Sequence, residues 1–402
     1  MGKYGLQRIL VAPSGFKESL SAEEVAEAIV SGIRRVLPNA WVDSVPIPDG
    51  GEGTARTLAS ATDGRLVPVS VTGPVGQTIV SHYAALGGNA SGTVVVEMAA
   101  AAGLSLVPRD SRNPCVTTTY GVGQLIAAAL DSGATRIIVG CGDSGTCDGG
   151  GGALQALGAR ILDAAGIELP PGGLNLQRAA SLDLRGLHPR LAEVEILLAC
   201  NAKNVLCGEM GVARVFARQK GANDDEIERL SDALENWATV LIRDGFPVDD
   251  VRTGLGTGAS GGLGAGLAAG VGAALRSRFD VFLDSGLYPT DLDAEIEKAD
   301  LVITAEGSID FQTPNGKVPA EIARRAVRVG VPVIALAGSI GHGAATVHDA
   351  GIDAITSILD VPMPLADAVA HSQRLLINAT EQMMRMIKVG VDIATWNFDN
   401  SE

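Results

Sequence analysis

The chain has 402 residues, 46% of them hydrophobic and 19% charged, which is material for two or three domains with large cores. Aromatic residues are only 3% and glycines number 51, so Ala, Val, Leu and Gly fill the interior, as in parallel sheets flanked by closely packed helices. A net charge of −15 argues against a nucleic-acid or anionic-membrane surface, yet a few local cations can still line one anion-binding cleft.

The first residues run into Arg8-Ile-Leu-Val-Ala12, a short buried strand, with no signal-peptide apolar region before it. The loop after it carries Ser14 and Lys17, beside the positive end of a helix that Ser21 caps with Glu24 in a capping box. A second strand, 41–47, leads to Pro48-Asp49-Gly-Gly-Glu52-Gly-Thr54 and a short helix. From residue 66 the pattern turns β-rich, with strands at 66–71, 78–86 and 93–98, so a domain boundary is expected near residue 65. Thr117-Thr-Thr119 caps a helix over 122–132, and a strand follows at 136–140.

Then comes the densest polar loop of the chain, Val139-Gly-Cys-Gly-Asp143-Ser144-Gly-Thr-Cys-Asp148-Gly149-Gly150-Gly-Gly152, in which seven residues are glycine. It stands where a strand hands over to a helix, the place where open α/β sheets bind ligands. Glycine lets backbone N–H groups approach an anion, and two carboxylates with phosphate oxygens are the usual surroundings of Mg²⁺. The loop is therefore expected to hold a phosphate with a metal, with Asp143 and Asp148 as metal ligands.

Strand 193–200 ends in a loop with Asn204, and Gln219-Lys220-Gly-Ala precedes Asn223, the cap of a helix over 224–243. A G-x-G-x-x-G occurs at 256–261, but no good strand precedes it, so a dinucleotide fold is not expected there. Strand 300–304 runs into a loop carrying Glu306, Asp310, Gln312 and Lys317. A helix at 319–329, strands at 331–337 and 353–358, and a helix at 363–388 close a βα series. The expected fold class is α/β: an open, mainly parallel, flavodoxin- or Rossmann-like domain made from 1–65 and 290–402, with a large second α/β domain, 66–289, inserted.

The candidate residues of the strand-end loops are carboxylates, lysines, amides and glycine backbone, with no histidine among them, though His342 sits in the loop after strand 331–337. A Ser-His-acid hydrolase is disfavoured, and no Walker A, protein-kinase or zinc pattern occurs. Carboxylate, lysine and Mg²⁺ are the means of phosphoryl transfer. The five cysteines form no C-x-x-C pair, as suits reduced thiols in a cytoplasmic protein.

Taken together, Ala-Pro-Ser-Gly-Phe-Lys-Glu-Ser-Leu-Ser-Ala (12–22), Pro-Asp-Gly-Gly-Glu-Gly-Thr (48–54), Glu-Met-Ala-Ala-Ala-Ala-Gly-Leu (97–104), the 143–152 loop, Gln-Lys-Gly-Ala (219–222), Gly-Gly-Leu-Gly-Ala-Gly (261–266) and Asp-Phe-Gln-Thr-Pro-Asn-Gly-Lys (310–317) resemble the bacterial two-domain glycerate kinases, in order and to about residue 385. The resemblance implies ATP-dependent, Mg²⁺-assisted phosphorylation of D-glycerate to 2-phosphoglycerate or 3-phosphoglycerate, in a cleft between the two domains. It implies ATP and D-glycerate as partners, and neither nucleic acid nor membrane; a homodimer stays open. Asp310 or Asp148 would take the hydroxyl proton, with Asp310 favoured because Gln312 and Lys317 share its loop. Lys17, Lys220 and Lys317 would meet phosphates or the substrate carboxylate. Ser144, Gly149 and Gly150 would donate hydrogen bonds, and Asn204 and Gln219 would orient substrate. Ser14, Asp49, Glu52 and Glu306 complete the expected binding set.

Some positions depart from the common family pattern. Asp143 stands where glycine is usual, Asn201 and Lys203 where two aspartates are usual, and Ser308 where an arginine is usual. These changes fit glycerate chemistry with relocated charge, or a kinase for a related small hydroxy acid. A nucleotide- or sugar-acid-binding regulator without catalysis, and a nicotinamide-dependent reductase, are the readings from other classes.

Overall fold

The structure, a computed structural model, describes residues 6–16 and 19–399. The chain forms two compact units, Met1–Pro48 with Thr290–Glu402, and Asp49–Pro289. In chain order the strands are β1 (Arg8–Val11), β2 (Trp41–Ser44), β3 (Arg65–Thr72), β4 (Thr78–Ala85), β5 (Thr93–Glu97), β6 (Arg136–Gly140), β7 (Arg160–Leu162), β8 (Ser181–Asp183), β9 (Glu195–Cys200), β10 (Ala274–Ser277), β11 (Leu301–Ile309), β12 (Val333–Ile340) and β13 (Ala354–Ser357).

The first unit is a five-stranded sheet in the order β13-β12-β11-β1-β2, parallel throughout. Its inner strands β1, β11 and β12 are largely apolar and buried because helices cover both faces, while the edge strands β2 and β13 are only partly buried. Ile9, Val11, Ile303 and Leu336 pack with Ile29 and Ile33 of helix Ala22–Val36 and with Leu375, Leu376 and Met384 of helix Ser372–Asp399. The expected capping box is present: Glu24 N–H donates to Ser21 Oγ (3.2 Å) and Ser21 N–H to Glu24 Oε2 (2.8 Å). The chain steps from β1 outward to β2, whereas β11 takes the other side of β1 and β12 and β13 continue outward from it. The loops after β1 and β11 thus leave in opposite directions, which opens a crevice at the carboxyl ends of these two strands.

The second unit holds a six-stranded sheet, β10-β9-β6-β5-β4-β3. Its first four strands are parallel, and β4 and β3 add an antiparallel edge. A small β7–β8 hairpin lies apart from that sheet. Trp237, fully buried on helix Asp224–Asp244, anchors the core beside Leu176, Leu230 and Leu263.

Three expectations need correction. Residues 49–65 belong to the second unit, because the 49–54 loop and helix Thr54–Ala61 bond to its β5 and β6 ends; the first boundary lies at 48/49, not near 65. Strand β11 continues to Ile309, so Glu306 and Ser308 ride on a strand paired with Ala337 and Ser339 instead of on a loop. The strand β10 follows helix Ala259–Val271, where the sequence shows only a glycine-rich run. Among the described residues no helix is long and apolar enough to cross a membrane.

Candidate active site

In the first unit, the β1/β11 crevice gathers the polar side chains of the β11 end. Lys317, at the start of helix Val318–Val329, reaches back with Nζ 3.2 Å from Glu306 Oε1 and 3.6 Å from Asp310 Oδ1, and donates to the Ser308 carbonyl (3.1 Å). Asp310 Oδ1 also accepts from Gln312 N–H (2.8 Å), while Asp310 N–H is fixed by Thr313 Oγ1 (3.1 Å). Among the described residues no hydrogen bond reaches Asp310 Oδ2. One carboxylate oxygen is thus held and the other is presented. Ser14 is buried nearby, and both its N–H and its hydroxyl donate to the Ala305 carbonyl, each at 3.0 Å. It ties β1 to β11. Lys17 lies outside the described residues.

In the second unit, a polar group forms where β5, β6 and β10 end. Asp143, with φ +51, accepts from Glu52 N–H at 3.1 Å. Asp49 Oδ1 accepts from Gly51 N–H (2.9 Å), and Arg278 donates to the Asp49 carbonyl (2.9 Å) and lies 3.7 Å from its carboxylate. A Cβ on Gly51 would strike Asp143 Oδ2 and stand 3.0 Å from Asp49 Oδ1, so the two carboxylates flank one glycine. Mg²⁺ takes one or two carboxylates and fills the rest of its shell with phosphate oxygens and water. Asp49 and Asp143 fit that demand, although no cluster of three or more His, Cys, Asp or Glu with metal-binding geometry occurs among the described residues. The Glu52 side chain is exposed, and it is the Glu52 backbone N–H that bonds within the group.

Asp148 does not belong to this surface. It is 1% exposed. Its Oδ2 accepts from Thr119 N–H (2.7 Å), Thr119 Oγ1–H (2.8 Å) and Gly152 N–H (3.2 Å), and Oδ1 from Gly150 N–H (3.2 Å). Burial pushes its pKa up, against the pull of those bonds. A carboxylate so filled has no room for a metal or a substrate proton, so Asp148 is neither metal ligand nor base. Thr119, expected as a helix cap, instead joins Asp148 to Ala153 N–H.

The glycine run is likewise a packing device. Gly149 N–H donates to the Gly261 carbonyl (3.0 Å), Gly150 N–H goes to Asp148, and the Gly149 carbonyl accepts from Trp237 Nε1–H (2.9 Å). With φ +58, Gly149 has its missing Cβ 2.5 Å from Trp237 Cδ1. The expected phosphate donors at Gly149 and Gly150 are therefore already engaged inside the protein. The glycines of 256–266 close on the same segment: a Cβ on Gly261 would strike the Thr146 carbonyl, and one on Gly266 the Gly149 carbonyl.

Lys220 is also buried, 2% exposed, with its Nζ bonded beneath the loop to Ser144 Oγ and the Thr146 carbonyl. Ser144 is half-buried at the loop's outer bend, and Gln219 is exposed. The Asn204 carbonyl accepts from Gly258 N–H (3.1 Å), which ties its loop to the glycine run.

The residue missed from sequence is Glu97. It ends β5, is 2% exposed, and accepts from Ala55 N–H at the start of helix Thr54–Ala61. Burial pushes its pKa up to about 7, helped by Glu52 and Asp49, against hydrogen bonds from Ala55 and Gly53. The available signal was one acid closing the apolar run Thr93-Val-Val-Val. Arg278 was missed as well, and nothing in its sequence neighbourhood announces it.

The glycerate kinase family model matches residues 9–388. The glycerate kinase of Bacillus subtilis (strain 168) is 43% identical over 383 residues, covering 95% of this chain and 98% of that protein. The glycerate 2-kinase of Escherichia coli (strain K12) is 42% identical over 384 residues, 96% of this chain and 99% of its own length. The solved structure of a glycerate kinase 2 from Salmonella typhimurium LT2 superposes with a TM-score of 0.74 at 42% identity, covering 96% of this chain and 99% of that one.

Proposed function

Because this chain belongs to the glycerate kinase family, we propose that it transfers the γ-phosphoryl group of ATP to a hydroxyl of D-glycerate, releasing ADP. The family acts as ATP-dependent kinases on an alcohol group, and this chain is such a kinase. The position we assign is oxygen 2, giving 2-phosphoglycerate, after the E. coli relative, a glycerate 2-kinase.

The observation that carries the chemical reading is the Asp310 carboxylate. Oδ1 is held by Gln312 N–H with Lys317 close by, and Oδ2 is presented. An acceptor hydroxyl must lose its proton as the phosphoryl group arrives, and a fixed aspartate oxygen is the usual group to accept it. Lys317 is set to offset negative charge beside that carboxylate, and Glu306 holds its ammonium in place. Asp143 with Asp49 would hold Mg²⁺, which when bound neutralises charge on the phosphate oxygens. Asn201 and Lys203 stand where the commoner pattern has aspartates, and Ser308 where it has an arginine. They are the reason to test related small hydroxy acids beside D-glycerate.

The experiment is ADP release from ATP and Mg²⁺ with D-glycerate, followed by phosphorus NMR of the product. ADP with a 2-phosphoglycerate signal is expected. A 3-phosphoglycerate signal would correct the position alone. Turnover with another hydroxy acid and none with D-glycerate would correct the substrate. A folded protein that binds ATP and forms no ADP with any hydroxy acid would overturn the kinase reading.

A further inference from the structure

Lys220 brings its amine into the interior, where burial lowers its pKa, and among the described residues no carboxylate forms an ion pair with it. Its Nζ donates to Ser144 Oγ at 2.7 Å and to the Thr146 carbonyl at 2.7 Å, and stands 3.9 Å from Cys147 Sγ. Among the described residues no carboxylate oxygen lies within ion-pair distance of it. Asp148 is near enough for its field to be felt, but its oxygens are turned to Thr119, Gly150 and Gly152. A buried amine with only neutral partners gives up its proton more readily than an exposed one, and an anion brought near it favours the charged form.

The loop above Lys220 is tied down on its inner side. Asp143 carbonyl accepts from Leu104 N–H (2.8 Å), Gly145 N–H donates to Ala102 carbonyl (2.8 Å), and Gly145 carbonyl accepts from Thr117 Oγ1–H (3.0 Å). The Thr146 carbonyl is taken by Lys220 itself. Ser144 is the half-buried side chain at the bend. With Lys220 Nζ as the donor, Ser144 Oγ is the acceptor in that bond and the serine's own proton points elsewhere.

We propose that Lys220 is a positioning residue: it holds Ser144 so that the serine hydroxyl donates to an oxyanion of a bound substrate, a phosphate oxygen of ATP or the carboxylate of the acceptor acid. The bound anion favours the charged form of Lys220, and that ammonium in turn polarises the hydroxyl. This assigns the 143–146 bend, and not the glycine run beyond it, as the anion-contacting part of the loop. The proposal rests on the kinase reading for its ligands.

The test compares wild type, Ser144→Ala, Ser144→Thr, Lys220→Met and the Ser144→Ala/Lys220→Met double variant. Each is titrated calorimetrically with ATP and Mg²⁺ and, separately, with D-glycerate, and Trp237 emission checks the fold. Ser144→Ala should weaken one ligand roughly tenfold, the loss of one hydrogen bond to a charged group. Weakening of ATP alone identifies the phosphate, and weakening of D-glycerate alone identifies the carboxylate; either supports the proposal. Ser144→Thr, which keeps the hydroxyl, should recover most of the affinity, as a merely structural serine would not predict. Lys220→Met should add less than about twofold to Ser144→Ala, since the two act as one unit. Unchanged affinities in Ser144→Ala, or effects that simply multiply in the double variant, overturn the proposal. Should Lys220→Met fail to fold, the Ala and Thr variants at 144 decide alone. Wild type that binds these ligands but turns over no D-glycerate strikes the function and leaves this comparison intact; wild type that binds neither overturns both.

Discussion

Replacing Glu97 by glutamine tests the electrostatics of the β5 end. An unburied glutamic acid titrates near 4.5, and Glu97 at about 7. Between those values the unfolded chain has released this proton and the folded chain still holds it, so stability falls as pH rises through the window. At about 1.4 kcal/mol per pH unit, the accumulated loss is roughly 3 kcal/mol by pH 8. The substituted amide keeps a carbonyl oxygen for Ala55 N–H and cannot ionise. Glu97→Gln should therefore gain on wild type between pH 5 and pH 8, by roughly 3 kcal/mol at most. The assay is urea unfolding of the second unit at both pH values, followed by the emission of Trp237 with Trp41 and Trp396 replaced by Phe. Those two lie in the first unit and are exposed, whereas Trp237 is fully buried in the second. A stability difference between Glu97→Gln and wild type that is equal at pH 5 and pH 8 would refute the reasoning.

Other substitutions separate chemistry from scaffold. Asp310→Asn should lower kcat by about 10²–10⁴-fold with an unchanged unfolding midpoint; near-normal turnover would remove it as the base. Asp148→Asn puts an amide NH₂ among four donors and should cost about 2–4 kcal/mol in unfolding by urea; a stable variant that loses only kcat would return Asp148 to the chemistry. Gly149→Ala forces a side chain to φ +58 and against Trp237, and should destabilise the second unit by about 2–3 kcal/mol; a normal midpoint would contradict the packing. Asp143→Gly relieves a positive φ worth about 1 kcal/mol and should raise the Mg²⁺ concentration needed for half-maximal rate; unchanged Mg²⁺ dependence would dismiss Asp143 as a ligand.

Much of the scaffold was legible because apolar runs and caps are local signals. Ser21 with Glu24 and Asn223 with Glu226 both close capping boxes where the sequence offers them. The end of β11 was not legible, because Glu306, Gly307 and Ser308 have loop composition and only pairing with β12 keeps them extended. For the same reason β10, with Arg276 inside it, escaped notice: β9 supplies its order. The grouping of Glu306, Asp310 and Lys317, with the backbone N–H of Gln312, could be read because one short segment holds them. The partnership of Asp49 with Arg278, 229 residues apart, could not. Glycine misled most. A missing Cβ serves equally to admit a ligand or a neighbouring backbone, and only the fold shows that Gly149 admits Trp237.

That interleaving of glycines 149–152 with 261–266 has a consequence for anyone mapping the protein by mutation. A saturation scan scored on activity would mark both runs as intolerant, and by loss of function alone they would pass for the catalytic centre. The side chains there would fail by bulk, whatever their chemistry, and the intolerance would vanish from kcat when scored per folded molecule. Around Asp310 and Ser144 the opposite profile is expected, with shape tolerated and chemistry not.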